Sequence, residues 1–140
     1  MAEVVIAIDG PAGSGKSSVS KAAARELGFG YLDTGAGYRA FAIHKSNFPG
    51  LELDRLIGSF DYSISIDPDS ELVMLAGVDV TAEIRTAAVS EAVSAVAKEQ
   101  LVRNLQLQDA RKRITDCQSQ GIIVEGRDIT TVVAPEAILK

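Results

Sequence analysis

Apolar residues enter this chain as a block, Val4, Val5, Ile6, Ala7 and Ile8, with nothing polar between them. A short unbroken run of that kind predicts a strand buried on both faces, as in a parallel sheet covered by helices. Glycines follow, and then the spacing lengthens. Val19, Ala22, Ala23 and Leu27 share one face of a predicted helix over residues 16–27, which Gly28 ends. Residues 29–32 read as a second short strand and 36–46 as a second helix. Strand, loop, helix, strand is the βαβ order, whose crossover is right-handed almost without exception and whose ligands gather at the carboxyl ends of the strands.

Pro49 and Gly50 interrupt the helical pattern, and a helical piece over 53–57 precedes a drop in period to two. Tyr62, Ile64 and Ile66 alternate with serines, Asp67-Pro68-Asp69-Ser70 makes a turn, and strands over 72–76 and 78–80 follow around Gly77. Inside an α/β order, this antiparallel meander is expected as an insertion on the sheet's ligand edge and not as a member of the sheet. From Thr86 to Gln118 the pattern is helical. Val89, Val93, Val96 and Ala97 make one face and Leu101, Leu105 and Ile114 another, so two helices are expected to meet near Lys98. Residues 122–124 read as a third parallel strand, 130–135 as a loop and 138–140 as the start of a fourth. The expected fold class is α/β: a parallel sheet with helices on both faces and a small inserted antiparallel β/helical subdomain. The expected core is 1–58 with 119–140, and the insert is 59–118.

Between the first strand and helix lies Gly10-Pro11-Ala12-Gly13-Ser14-Gly15-Lys16-Ser17-Ser18, which spells Gly-x-x-x-x-Gly-Lys-Ser. Such a loop wraps backbone N–H groups around phosphates, and Gly13 and Gly15 permit the close backbone path. Lys16 adds a positive charge near the β- and γ-phosphates, the Ser17 hydroxyl can ligate Mg²⁺, and the helix that follows aims its positive end at the same anion. The alternative is a turn that only joins strand to helix, but the apolar run before it and the helix after it are the context a phosphate cradle requires. Kinases, ATPases and GTPases share this loop, so the reaction must be read elsewhere.

Composition narrows the field. The 140 residues are 46% hydrophobic and 24% charged, ordinary for one soluble globular domain and unlike disordered or membrane classes. A net charge of −5 disfavours nucleic acid and anionic membrane as partners, so a bound anion must be held by a local cluster. The single cysteine, Cys117, cannot form an internal disulfide; it is expected as a small, partly buried side chain in a reducing cytoplasm. The Met-Ala-Glu start and the break at Asp9 argue against a signal peptide. His44, within the second predicted helix, is expected at a surface or packing position without chemistry. The run Arg111-Lys112-Arg113 is expected on a solvated face.

Two clusters remain: Asp33-Thr34-Gly35-Ala36-Gly37-Tyr38-Arg39 and Glu125-Gly126-Arg127-Asp128-Ile129. Each sets an arginine beside a carboxylate at the end of a predicted parallel strand. Surface ion pairs worth little are the plain alternative, but topology directs both clusters to the edge where Lys16 stands. At these residues the chain resembles the bacterial cytidylate kinases, nucleoside monophosphate kinases that transfer the ATP γ-phosphate to CMP and dCMP. The resemblance rests on IDGPAGSGKSS, DTGAGYRA, TAEIRT and EGRDITTVVAP, and spans nearly the whole chain.

The resemblance implies a P-loop nucleoside monophosphate kinase fold, with the insert as the acceptor-binding subdomain. It implies ATP as donor held by Gly10 to Ser18, Mg²⁺ at Ser17 and Glu125, and Lys16, Arg39 and Arg127 as the catalytic residues. For the acceptor it implies Asp33, Thr34, Tyr38, Arg39, Arg85 and Arg127 around the monophosphate, and Ser94, Arg103 and Asp128 around cytosine. A carboxylate facing the cytosine N4 donor favours C over U, which offers an acceptor there.

Gly37 stands where the family usually has methionine or isoleucine, and is expected to loosen the helix start; Glu125 replaces a frequent aspartate. Members of the family continue past this point with an arginine-rich lid, acceptor-sugar contacts and an adenine-binding segment. A chain ending at Lys140 is expected to lack these and to be catalytically crippled. The expectation is a cytoplasmic, monomeric kinase. Two alternatives are a nucleotide-binding module or switch without acceptor turnover, and a kinase of another small acceptor such as UMP, AMP or shikimate.

Overall fold

A computed structural model of the chain describes residues 4–9 and 16–126, the side chains of Lys16 and Ser17 excepted. The chain forms two compact units, one of residues 1–35, 66–70 and 107–140, the other of 36–65 and 71–106. The first contains β1 (Val4–Asp9), α1 (Lys16–Leu27), β2 (Gly30–Asp33) and β6 (Gly121–Gly126). These strands form a parallel sheet in the order β1-β6-β2. The late strand takes the centre, and all six of its residues are buried, as its apolar sequence demands. Helix α1 ends in a glycine cap: Phe29 N–H donates to the Ala24 carbonyl (2.9 Å) and Gly28 N–H to that of Arg25 (3.3 Å), with Gly28 at φ +69°. That pair of bonds satisfies carbonyls the helix would otherwise leave open.

The second unit holds most of α2 (Thr34–Asn47), together with α3 (Leu53–Gly58), β3 (Tyr62–Ile64), β4 (Val73–Leu75), β5 (Val78–Asp79), a 3₁₀ turn (Glu83–Arg85), α4 (Ala87–Ala97) and the first half of α5 (Gln100–Asp116). Strands β3, β4 and β5 form the expected antiparallel meander. Its core gathers Phe41, Leu56, Ile84 and Val102, each at most 1% exposed. Burying side chains of this size contributes roughly 1.5–3 kcal/mol apiece. The β4–β5 loop is Ala76-Gly77, with φ +50° and +78°; two positive φ values are what a two-residue hairpin of the I′ kind requires.

Four expectations change. Helix α2 starts at Thr34, two residues early, because Asp33 Oδ1 accepts from Gly35 N–H at 3.0 Å and caps the first turn. Ile66 is not a meander strand residue: its carbonyl accepts from Tyr31 N–H of β2 at 2.7 Å. Arg25 holds the adjoining turn, bonding Asp69 Oδ1 at 2.7 Å and the Pro68 carbonyl at 3.0 Å. On α5 the buried face runs through Val102, Gln106 and Ala110, while Leu101 is 53% exposed; one buried position is polar, and hydrophobicity alone set the register one residue off. Cys117 is fully buried, its Sγ 4.0 Å from the Gly121 carbonyl. His44 is a packing residue, its Nε2 at 3.0 Å from the Leu56 carbonyl and its ring against Phe41, Phe48 and Phe60.

Candidate active site

In the first unit, two strands end in aspartate, Asp9 and Asp33, and the third carries Glu125 one residue before its end. The parallel register sets Ile8 and Asp33 on either side of Glu125, and Asp9 beside Gly126. Glu125 is 1% exposed. The Thr34 hydroxyl donates to the Glu125 carbonyl at 2.9 Å, so the end of β2 is tied to the end of β6. Helix α1 begins at Lys16, and Ser18 in its first turn is exposed. Asp33, Thr34 and Glu125 are therefore assembled on one edge, at the carboxyl ends of the strands. Gly10, Pro11, Ala12, Gly13, Ser14, Gly15, Arg127 and Asp128, the side chains of Lys16 and Ser17, and the segments 130–135 and 138–140 lie outside the described residues.

The second unit gathers Tyr38, Arg39, Arg85, Ser94 and Arg103. Tyr38 packs against the core. Arg39 is half-buried, and its Nη1 donates to the Ile84 carbonyl at 3.1 Å and to Ser90 Oγ at 2.8 Å. Arg85 pairs with Glu71, Nη2 to Oε1 at 2.6 Å. Ser94 lies one turn beyond Ser90 on the exposed side of α4, and Arg103 is exposed on α5. Ser90, Glu71 and the Ile84 carbonyl were not singled out from the sequence. Ser90 carries a usable signal, for it precedes Ser94 by four residues and so shares its helical face.

The motif Thr81-Ala82-Glu83-Ile84-Arg85-Thr86 has a mechanical reason for each threonine. The Thr81 hydroxyl donates to Asp79 Oδ1 at 2.6 Å and accepts from Val73 N–H at 2.9 Å, while its amide donates to the same Asp79 oxygen at 2.9 Å. These bonds, the hydroxyl first and the amide second, hold the exposed Asp79 carboxyl below its ordinary pKa. Thr86 caps α4, its Oγ1 accepting from Val89 N–H and donating to the Glu83 carbonyl. The 3₁₀ turn that carries Arg85 is thus knotted at both ends.

Gly37 does not loosen its helix. The buried Gln106 side chain occupies the space a Cβ would need: such an atom would collide with Gln106 Oε1 and lie 3.0 Å from Cδ. Gln106 Nε2 donates to the Gly37 carbonyl at 3.2 Å. A Cβ at 37 and the Gln106 side chain as it is placed compete for the same space.

Comparison with known proteins bears on the site's identity. The family model described as cytidylate kinase matches residues 6–140. The cytidylate kinase of Rhodococcus opacus (strain B4) is 47% identical over 144 residues, covering 98% of this chain and 61% of that protein. Those of Mycobacterium leprae (strain Br4923) and Pelotomaculum thermopropionicum are 44% and 46% identical, covering 100% and 96% of this chain and 62% and 61% of theirs. The chain spans about three fifths of the length of these curated relatives.

Proposed function

The chain belongs to the cytidylate kinase family, and from that premise we propose that the protein transfers the γ-phosphoryl group of ATP to CMP or dCMP, giving CDP or dCDP. The observation that carries the reading is the match over residues 6–140, which takes in the phosphate loop and both acceptor clusters. The backbone N–H groups of the 10–15 loop, Pro11 having none, and Lys16 hold the triphosphate. Arg39 and Arg127 orient the monophosphate, with Asp33, Thr34, Tyr38 and Arg85 around it, and Ser94, Arg103 and Asp128 read cytosine. An oxygen of the CMP phosphate forms a bond to the γ-phosphorus as the bond from that phosphorus to the β,γ-bridging oxygen breaks, its electron pair leaving with ADP. Positioning and charge neutralisation do the catalysis, and no general base is needed because the monophosphate dianion is itself the nucleophile.

Mg²⁺ suits the residues present. The edge offers carboxylate and hydroxyl oxygens, and among the described residues no three acidic, His or Cys side chains form a cage of their own. Mg²⁺ is held in such sites by one or two protein oxygens plus substrate phosphates and water. Ser17 and Glu125 would hold it, and it would supply charge neutralisation at the β- and γ-phosphate oxygens.

The protein is read as a cytoplasmic monomer, with 59–118 as the acceptor-binding subdomain; no described helix is long and apolar enough to cross a membrane. The test is ADP release from ATP with CMP, dCMP, UMP and AMP offered in turn. CMP and dCMP are expected to outcompete UMP, and Asp128→Ala to narrow that preference. Equal use of cytosine and uracil nucleotides by the unmutated, full-length protein would refute the base assignment, and ADP release independent of any acceptor would refute the transfer.

A further inference from the structure

We propose that Ser90 is a positioning residue for acceptor binding: it fixes the plane of the Arg39 guanidinium so that the opposite edge meets the monophosphate. This rests on reading Arg39 as an acceptor-phosphate arginine. The guanidinium carries five N–H donors in a rigid fork. One nitrogen, Nη1, is committed twice, to the Ile84 carbonyl and to Ser90 Oγ. Nε and Nη2 make no further hydrogen bond among the described residues, and together they form the edge that grips a phosphate through two parallel bonds.

The two anchors differ in kind. The Ile84 carbonyl sits in the knotted 3₁₀ turn, and its side chain is fully buried, so that acceptor cannot move. One acceptor on one nitrogen still lets the planar group swing about the bond. A second from another direction removes that freedom. Ser90 provides it from α4, whose first turn Thr86 caps. The helix also carries Ser94 one turn further on, so one rigid element would set both the arginine for the phosphate and a hydroxyl for the base. A side chain as long as arginine gives up rotamer freedom when fixed, and an arginine fixed beforehand spares acceptor binding that cost.

The experiment compares Ser90→Ala, Ser90→Thr and Arg39→Ala with the unmutated protein. Steady-state kinetics for ATP and CMP is run beside calorimetric binding of CMP, so the answer does not hang on turnover alone. Ser90→Ala is expected to weaken CMP binding and kcat/KM for CMP about five- to tenfold, the scale of one ordinary hydrogen bond. The KM for ATP and the thermal midpoint should stay put, since Ser90 is exposed. Ser90→Thr, which keeps the hydroxyl, should restore most of the loss. Unchanged CMP binding in Ser90→Ala, with Arg39→Ala severely impaired, overturns the role of Ser90 alone. Equal loss for ATP and CMP with a lowered midpoint also overturns it, by showing a structural role. Unimpaired Arg39→Ala overturns the reading beneath it.

Discussion

Putting a methyl group on Gly37 sets two helix effects against each other. Intrinsic propensity favours alanine over glycine in a helix interior by about 1 kcal/mol. Against this, the new Cβ would strike Gln106 Oε1 and press on Cδ at 3.0 Å. Gln106 is only 6% exposed and cannot swing out to water, so yielding means breaking its 3.2 Å bond to the Gly37 carbonyl. If the side chain yields, a buried amide left without its partner costs about 1–3 kcal/mol; if it stays, overpacking costs a similar amount instead. The collision wins, and Gly37→Ala should destabilise by about 1–2 kcal/mol, a drop of roughly 3–6 °C in midpoint for a chain of this size. Gln106→Ala vacates the contested space, so the double variant should be more stable than the sum of the single effects by at least about 1 kcal/mol. Urea or thermal unfolding of the four proteins closes the cycle. A Gly37→Ala protein more stable than the parent, or a strictly additive cycle, would show that the two side chains do not share this space.

Two further predictions concern the meander. Ala76 holds φ +50° on an exposed hairpin turn, a conformation that costs a residue with a Cβ about 1–2 kcal/mol; Ala76→Asn should gain about 0.5–1 kcal/mol because asparagine tolerates it, and a loss on thermal melting would sink this account of the turn. The Asp79 carboxyl, held below its ordinary value by Thr81, favours the folded state above the ordinary aspartate pKa, and that contribution is lost as pH falls through the lowered folded value. An NMR titration should find its midpoint depressed and Thr81→Ala should bring it back; an ordinary midpoint in the parent would contradict the geometry.

The βαβ order, the meander and the break near Lys98 were legible because each is written in periodicity. Apolar runs and alternation report burial, and burial chooses the element. The misreadings arise where a polar group does an apolar residue's work. Gln106 holds a core position on α5, so the buried stripe was set on Leu101 when Val102 carries it. Ile66 continues an alternating pattern yet gives its carbonyl to Tyr31, a partner 35 residues earlier that no local period reports. In the candidate site, Asp33, Thr34 and Glu125 were legible from topology, since strand ends must share an edge. Ser90 was legible only as a residue on the Ser94 face of α4, because its meaning depends on where the Arg39 side chain goes.

The central place of β6 has a consequence for how the molecule is made. Among the described residues, β1 and β2 pair with no strand but β6, which leaves the ribosome roughly ninety residues after β2 has appeared. Until then two apolar ribbons wait with unfilled hydrogen bonds, closing a long loop being slow. The meander and the rest of its unit, down to the first part of α5, have been made by residue 106 and can set first. Synthesis thus delivers the unit that holds the meander before the strand that unites the parallel sheet, and a chaperone that shields bare strand edges would find its client in that interval.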